Sequence, residues 1–263
     1  MTKVTDPTSP ATPSSRSVGL QGAPNCRDLG GYPAADGRRV KWRHLYRSDS
    51  FADLTDADLP VVQSLGLRTL VDLRHASERE RKPNRELPGM PPKVHTFPFL
   101  PYGHVDIFKR VSEGRMTLVQ LEQDVWEAYR RFLPEPVFPK MIDLLLTPGV
   151  FPMLIHCTSG KDRTGYTTAV VLLALGVPRD VIIEDFLVTN RHRRDIGYLV
   201  GDKADPAVVE VLSGVHASYL EASFTAMEQQ WGSTDAYLRD ALGLSDRRRQ
   251  QLQDLLLERV AEK

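Results

Sequence analysis

Short apolar runs alternate along this chain with longer segments of helical period. Residues 69–73, Thr-Leu-Val-Asp-Leu, have strand length, and so do 94–97. Residues 151–156 are apolar at nearly every position, the pattern of a strand covered on both faces. Residues 43–48 form a fourth candidate. Thr55 with Asp58 signals the start of a helix that stops at Leu65-Gly66, and Ser77 with Glu80 reads as a second capping box. Trp126, Tyr129 and Leu133 share one helical face, which predicts a helix over 118–132. The second half reads as mostly helical. Residues 164–175 make a buried helix ended by Gly176, and Pro178 opens the next, to about Val188. Further helices are predicted over 206–212, 216–231, 234–242 and 246–260, with Ser233 and Ser245 as N-caps and Gly232 and Gly243 at helix ends. Strands separated by helices predict an α/β domain. Its central sheet is mainly parallel and flanked by helices, with extra C-terminal helices.

Composition narrows the class. The 263 residues are 41% hydrophobic and 26% charged, a globular balance with core enough for one domain. Lys+Arg and Asp+Glu are 34 each, so no positive excess exists to grip nucleic acid, and no nucleic-acid partner is expected. Two cysteines exclude a disulfide scaffold. The longest aliphatic run, 169–175, is far too short for an integral membrane segment. Thr, Ser or Pro fills 11 of the 16 positions over 2–17, so 1–17 is expected to be a disordered tail and 18–263 the folded domain. No apolar segment follows Lys3, so no Sec signal is read and the cytoplasm is the default compartment.

The chemistry concentrates in one stretch, His156-Cys157-Thr158-Ser159-Gly160-Lys161-Asp162-Arg163-Thr164-Gly165, between a buried strand and a buried helix. Open α/β sheets place their sites there, beyond the carboxyl ends of strands. If the chain loops and enters a helix at Arg163 or Thr164, the loop amides converge on a point with the positive helix end behind them. A phosphate dianion fits such a nest. Arg163 can close it with a forked contact that lysine cannot copy. The same field favours a thiolate on Cys157, ready to attack phosphorus and hold the transferred group covalently until water releases it. Thr164 is placed to donate a hydrogen bond to the sulfur. Gly160 and Gly165 allow close backbone approach.

This string matches the H-C-x5-R-[ST]-G signature of cysteine-dependent phosphatases, and its interior resembles the PtpB/LipA-type protein tyrosine phosphatases of bacteria. Asn25-Cys26-Arg27-Asp28-Leu29-Gly30-Gly31-Tyr32 is similar to that family's N-terminal motif. Leu45-Tyr46-Arg47-Ser48-Asp49 follows, then Leu54-Thr55, then the stretch 65–74 with Glu78, in the family's order. Tyr219-Leu220, Trp231-Gly232-Ser233, Tyr237-Leu238 and Leu242-Gly243-Leu244 resemble its closing helices.

The resemblance implies a cysteine-phosphatase-like fold and phosphomonoester hydrolysis on phosphotyrosine, with phosphoserine, phosphothreonine and phosphoinositides also permitted. It implies Cys157 as nucleophile, Arg163 as phosphate ligand, and Thr158, Ser159, Gly160, Lys161 and Asp162 as the cradle, with Thr164 beside them. His156 would help hold the loop. Asp162 is the favoured general acid, with Asp72 at the end of its strand as runner-up. Asp72 has a second reading, as the partner of Arg74 or an anchor of the loop. Lys161 has two readings as well: a second cation for polyanionic head groups, or a solvated lysine that raises the local potential. Ile107-Phe108 or the 208–219 region would serve as a lid, or simply pack. Cys26 reads as small packing, or as a thiol able to bridge an oxidised Cys157. No metal and no cofactor are implied, and the partners are phosphorylated proteins or phosphoinositides. The sequence assigns no oligomeric state. Export without a Sec signal is compatible with the resemblance. Two competing classes stay open at this stage: a phosphate- or phosphoinositide-binding module with little turnover, and a rhodanese-like sulfur-transfer protein.

Overall fold

The computed structural model describes residues 16–99, 104–133, 136–193, 200 and 205–260, leaving aside the side chains of 104–106 and 108. Its elements in chain order are β1 (Arg27–Asp28), β2 (Arg38–Val40), β3 (Leu45–Ser48), α1 (Asp58–Ser64), β4 (Thr69–Asp72), α2 (Ala76–Arg81), β5 (Lys93–Thr96), α3 (His104–Ser112), α4 (Leu118–Arg131), α5 (Val137–Leu145), β6 (Met153–His156), α6 (Asp162–Leu175), α7 (Arg179–Val188), α8 (Pro206–Ser213), α9 (Ala217–Trp231), α10 (Asp246–Leu256) and β7 (Leu257–Arg259). The main sheet runs β1-β3-β6-β4-β5. Strands β3, β6, β4 and β5 are parallel, and β1 is antiparallel on β3.

Side-chain alternation along the strands splits the core into two layers. Leu45, Val71, Leu73, Met153, Ile155 and Cys157 face a large cluster built with α4, α5, α6, α7 and α9. Tyr46, Leu70 and Leu154 face the other way, onto a smaller cluster with Leu20, Cys26, Phe51, Leu54 and Val62. Covered on both faces, β6 is apolar up to its last residue, His156.

The central strands and the buried helix lie where the hydrophobic pattern puts them. Gly176 ends α6 in the left-handed conformation (φ 80°), where a glycine costs least. Ser233 and Ser245 cap the helices that follow them. Three expectations change. The second capping box is His75 with Glu78, not Ser77 with Glu80, because the Glu78 carboxylate turns back onto the His75 amide. Helix α10 stops at Leu256, and 257–259 pair antiparallel with β2, so the expected helix to Val260 ends as a strand. The helix expected over 234–242 is an α-turn over Thr234–Ala236 that continues as a π-turn over Tyr237–Ala241. Helix α5 and strands β1 and β2 were not foreseen. The expected tail over 1–17 lies outside the described residues up to 15. Arg16 and Ser17 are already docked: the Arg16 guanidinium carbon sits 3.9 Å from the Tyr32 ring centre, and Ser17 bridges Arg27. No helix among the described residues is long and apolar enough to cross a membrane. Ile107 packs into the large cluster, as do Val208, Val211 and Tyr219, so these parts of the proposed lids are core in this structure. Of residues 101–103 and the Phe108 side chain nothing is described.

Candidate active site

Strand β6 delivers His156 and Cys157 to the carboxyl edge of the sheet, and α6 begins five residues later. Arg163 is therefore the second residue of α6, inside its first turn. The positive end of a 14-residue helix stands behind the loop. Thr158, Ser159, Asp162 and Arg163 are partly exposed at the mouth, while Cys157, Gly160, Lys161 and Thr164 are buried.

Arg163 is held by a residue to which the sequence reading gave no role. Glu78, at the start of α2, accepts Nη1 at 2.6 Å and Nη2 at 2.8 Å. Its Oε1 also takes the Thr158 hydroxyl at 2.6 Å, and its Oε2 takes the His75 amide. Burial opposes the charge on Glu78, but the Arg163 fork, the Thr158 hydroxyl and the His75 amide outweigh it and hold the carboxyl down to about 2. Arg163 is likewise opposed by burial, and its bonds to Glu78, with Cys157 and Asp162 nearby, push it further above its usual range. Glu78 lies just beyond the stretch 65–74 that resembles the family, but its partner is 85 residues away.

Asp162 receives the Tyr129 hydroxyl at 2.7 Å and the Lys161 ammonium at 3.2 Å, both on Oδ1. Burial and the Asp162 charge push the Tyr129 phenol well above its usual value, so it stays a hydrogen-bond donor. The Lys161 ammonium is not solvated. It also donates to the Gly214 carbonyl at 3.1 Å, on the connection between α8 and α9, and the residue is 8% exposed.

Asp72 matches its second reading. Its carboxylate is clamped by Nε and Nη2 of Arg74 and by the Arg74 amide. Burial opposes this charge, yet Arg74 and His156 hold the carboxyl below the usual range. His156 bonds the Cys157 carbonyl through Nδ1 at 3.0 Å, and Nε2 meets the Asn84 amide at 3.1 Å. The Nδ1–H tautomer satisfies both contacts. Burial pushes this ring down to about 4, against the raising effect of Asp72. One expectation fails here, and Cys26 follows its packing reading rather than the bridging one. Thr164 Oγ1 is buried with no hydrogen-bond partner among the described residues, so it does not reach the sulfur. Cys26 packs in the smaller cluster, across the sheet from Cys157, and burial pushes its thiol up to about 12.

Gly160 has φ +63°, and a Cβ there would stand 2.6 Å from the Asp49 amide nitrogen and from the Ser48 carbonyl oxygen. Only glycine lets the loop lie this close to β3. The back of the loop is gripped by the N-terminal motif. Asn25 Nδ2 donates to the carbonyls of Ser159 and Gly160, each at 3.2 Å. Arg47 Nη2 donates to Gly160 O at 2.8 Å, and the Ser50 amide to Thr158 O at 3.1 Å. Behind these, Asp185 of α7 accepts Arg47 at 2.6 Å, Arg27 at 2.9 Å and the Tyr32 hydroxyl at 2.9 Å.

A mainly parallel α/β sheet with a cysteine and an arginine at the two ends of one strand-to-helix loop is the arrangement that a cysteine-dependent phosphatase needs. Residues 18–258 match the model of the Tyrosine phosphatase family, and the chain belongs to that family. It is 36% identical over 236 residues to a provisionally named tyrosine-protein phosphatase of Cupriavidus necator, covering 83% of this chain and 81% of that protein. It is 31% identical over 280 residues to the triple specificity protein phosphatase PtpB of Mycobacterium tuberculosis, covering 90% of this chain and 98% of that protein. The chain is thus a hydrolase of the protein-tyrosine-phosphatase type, and the binding-module and sulfur-transfer readings fall away.

Proposed function

We propose that this enzyme hydrolyses phosphotyrosine first, and phosphoserine, phosphothreonine and phosphoinositides as further substrates, through a phosphocysteine on Cys157. The name of its Mycobacterium relative supports that breadth. The observation that carries the reading is the single loop with Cys157 at one end, Arg163 at the other and Asp162 between them, at the mouth of the sheet.

In the first step the Cys157 thiolate attacks phosphorus. The S–P bond forms, the P–O bond to the leaving group breaks, and the leaving oxygen takes the proton of Asp162. In the second, water attacks phosphorus and gives its proton to the Asp162 carboxylate. The S–P bond breaks, releasing inorganic phosphate and the thiolate. Arg163 and the loop amides bind the phosphoryl oxygens through both steps. Asp162 is better placed to donate a proton than Asp72, whose two oxygens are both held by Arg74. Glu78 orients Arg163, and Lys161 and Tyr129 orient Asp162.

The test is a rate panel of p-nitrophenyl phosphate, phosphopeptides and phosphoinositides. Cys157→Ser is expected to abolish every rate. Asp162→Asn should slow the alkyl phosphates more than p-nitrophenyl phosphate, whose leaving group departs without a proton; an equal loss on all would move the acid elsewhere. Lys161→Ala should depress all substrates alike if its ammonium serves Asp162, and inositides alone if it reads a second phosphate.

A further inference from the structure

We propose that Asn25 and Arg47, held in place by Arg27 and Asp185, are positioning residues that aim the amides of the phosphate loop at the substrate. The proposal rests on the phosphatase reading and extends its machinery to the N-terminal motif.

A trans peptide unit points its N–H opposite to its C=O. Whatever pins a loop carbonyl outward therefore turns the next residue's amide inward. Three consecutive carbonyls of this loop are pinned on one side. Thr158 O takes the Ser50 amide, Ser159 O takes Asn25, and Gly160 O takes both Asn25 and Arg47. The amides of Ser159, Gly160 and Lys161 are thereby directed away from that layer. Three aligned donors make an anion nest, and without outside support their mutual repulsion would turn the peptides.

The support is itself immobilised. Asn25 has one side-chain oxygen, and Arg27 Nη1 donates to it at 2.6 Å, which fixes the amide nitrogen toward the loop. Arg27 Nε and Arg47 Nη1 share the Asp185 carboxylate, and Arg27 Nη2 donates to the Asp185 carbonyl at 2.8 Å. Asn25, Arg27, Arg47 and Asp185 are each 1–2% exposed. Burying three charges this deeply is a poor way to gain stability, because the desolvation cost rivals the attraction. It is a good way to hold a donor to one position.

The experiment compares wild type with Asn25→Ala, and measures the inhibition constant for vanadate, kcat and KM for p-nitrophenyl phosphate, and the melting temperature. Loss of the two donated bonds should weaken vanadate about tenfold and lower kcat/KM by at least as much. Unchanged vanadate affinity and kcat/KM with a lower melting temperature would make Asn25 a fold support only and overturn the proposal. Arg47→Lys keeps a cation beside Asp185 but has no second arm for the Gly160 carbonyl, so it should weaken vanadate in the same direction. If Asn25→Ala does not fold, that variant decides the matter by the same readout. A wild-type protein with no turnover would instead sink the phosphatase reading, and the vanadate comparison would still judge the brace.

Discussion

Two arginine–carboxylate pairs flank the phosphate loop, and they differ in burial. Arg163 with Glu78 stands at the mouth, with side chains 11% and 20% exposed, while Arg47 with Asp185 stands behind the loop at 1% and 2%. The front pair is near water, so Arg163 can turn one face to a phosphate while Glu78 holds the other. The rear pair has no exchangeable partner. Burial and the neighbouring Arg27 bring Arg47 down to about 10, and the charges of Arg27 and Arg47 overcome burial to keep the Asp185 carboxyl well below its usual range. On the proposed mechanism the same two groups serve one loop in two ways: in front as a ligand held ready, behind as a fixed frame.

The comparison breaks most readily at Asp185. Asp185→Asn strips the counter-charge from two buried guanidinium groups and should cost on the order of 3–5 kcal/mol in urea unfolding. A loss below about 1 kcal/mol, the range of an exposed pair, would erase the distinction between front and rear. A pH series sharpens it. Neither pair releases its carboxylate until pH falls far below neutral, since Glu78 is held at about 2 and Asp185 lies below the usual carboxylate range. Acid instability above pH 4 should come instead from His156, whose folded value is about 4 against an ordinary 6.5. The unfolded chain takes up that proton first, so the stability this ring contributes is complete above pH 6.5 and is lost as pH falls toward 4. The shift is worth on the order of 3 kcal/mol, and His156→Gln should flatten that part of the melting curve; an unchanged slope would assign the loss elsewhere. The smallest expected effect on stability is at the front. Glu78→Gln should cost about 2 kcal/mol, less than Asp185→Asn because the pair reaches the mouth and is partly screened, yet lower kcat/KM about tenfold by freeing the Arg163 fork. Unaltered kcat/KM would show that Arg163 needs no guide.

What the sequence discloses follows the range of the forces involved. Strand β6, the loop and α6 are legible because an apolar run, a glycine-bearing polar loop and a second apolar run are local signals. Strand β7 is not, since Leu257-Glu258-Arg259 extends a helical pattern and only pairing with Arg38–Val40, more than 200 residues away, decides it. Helix α5 hides behind Pro136 at its N-cap and Pro139 within its first turn. Glu78 and Arg47 stood in recognisable motifs, but their partners are distant in sequence. Asp185 left one faint mark: in α7 it shares the buried face of Ile182 and Phe186, where a carboxylate needs a partner.

The placement of Cys26 has a redox consequence. The chain has two cysteines, and the sheet stands between them. A sulfenic acid formed on Cys157 would therefore find no resolving thiol within its own fold. Recovery from peroxide would fall to a small thiol entering through the mouth, and mass spectrometry after mild oxidation should show a mixed adduct on Cys157 rather than an internal crosslink.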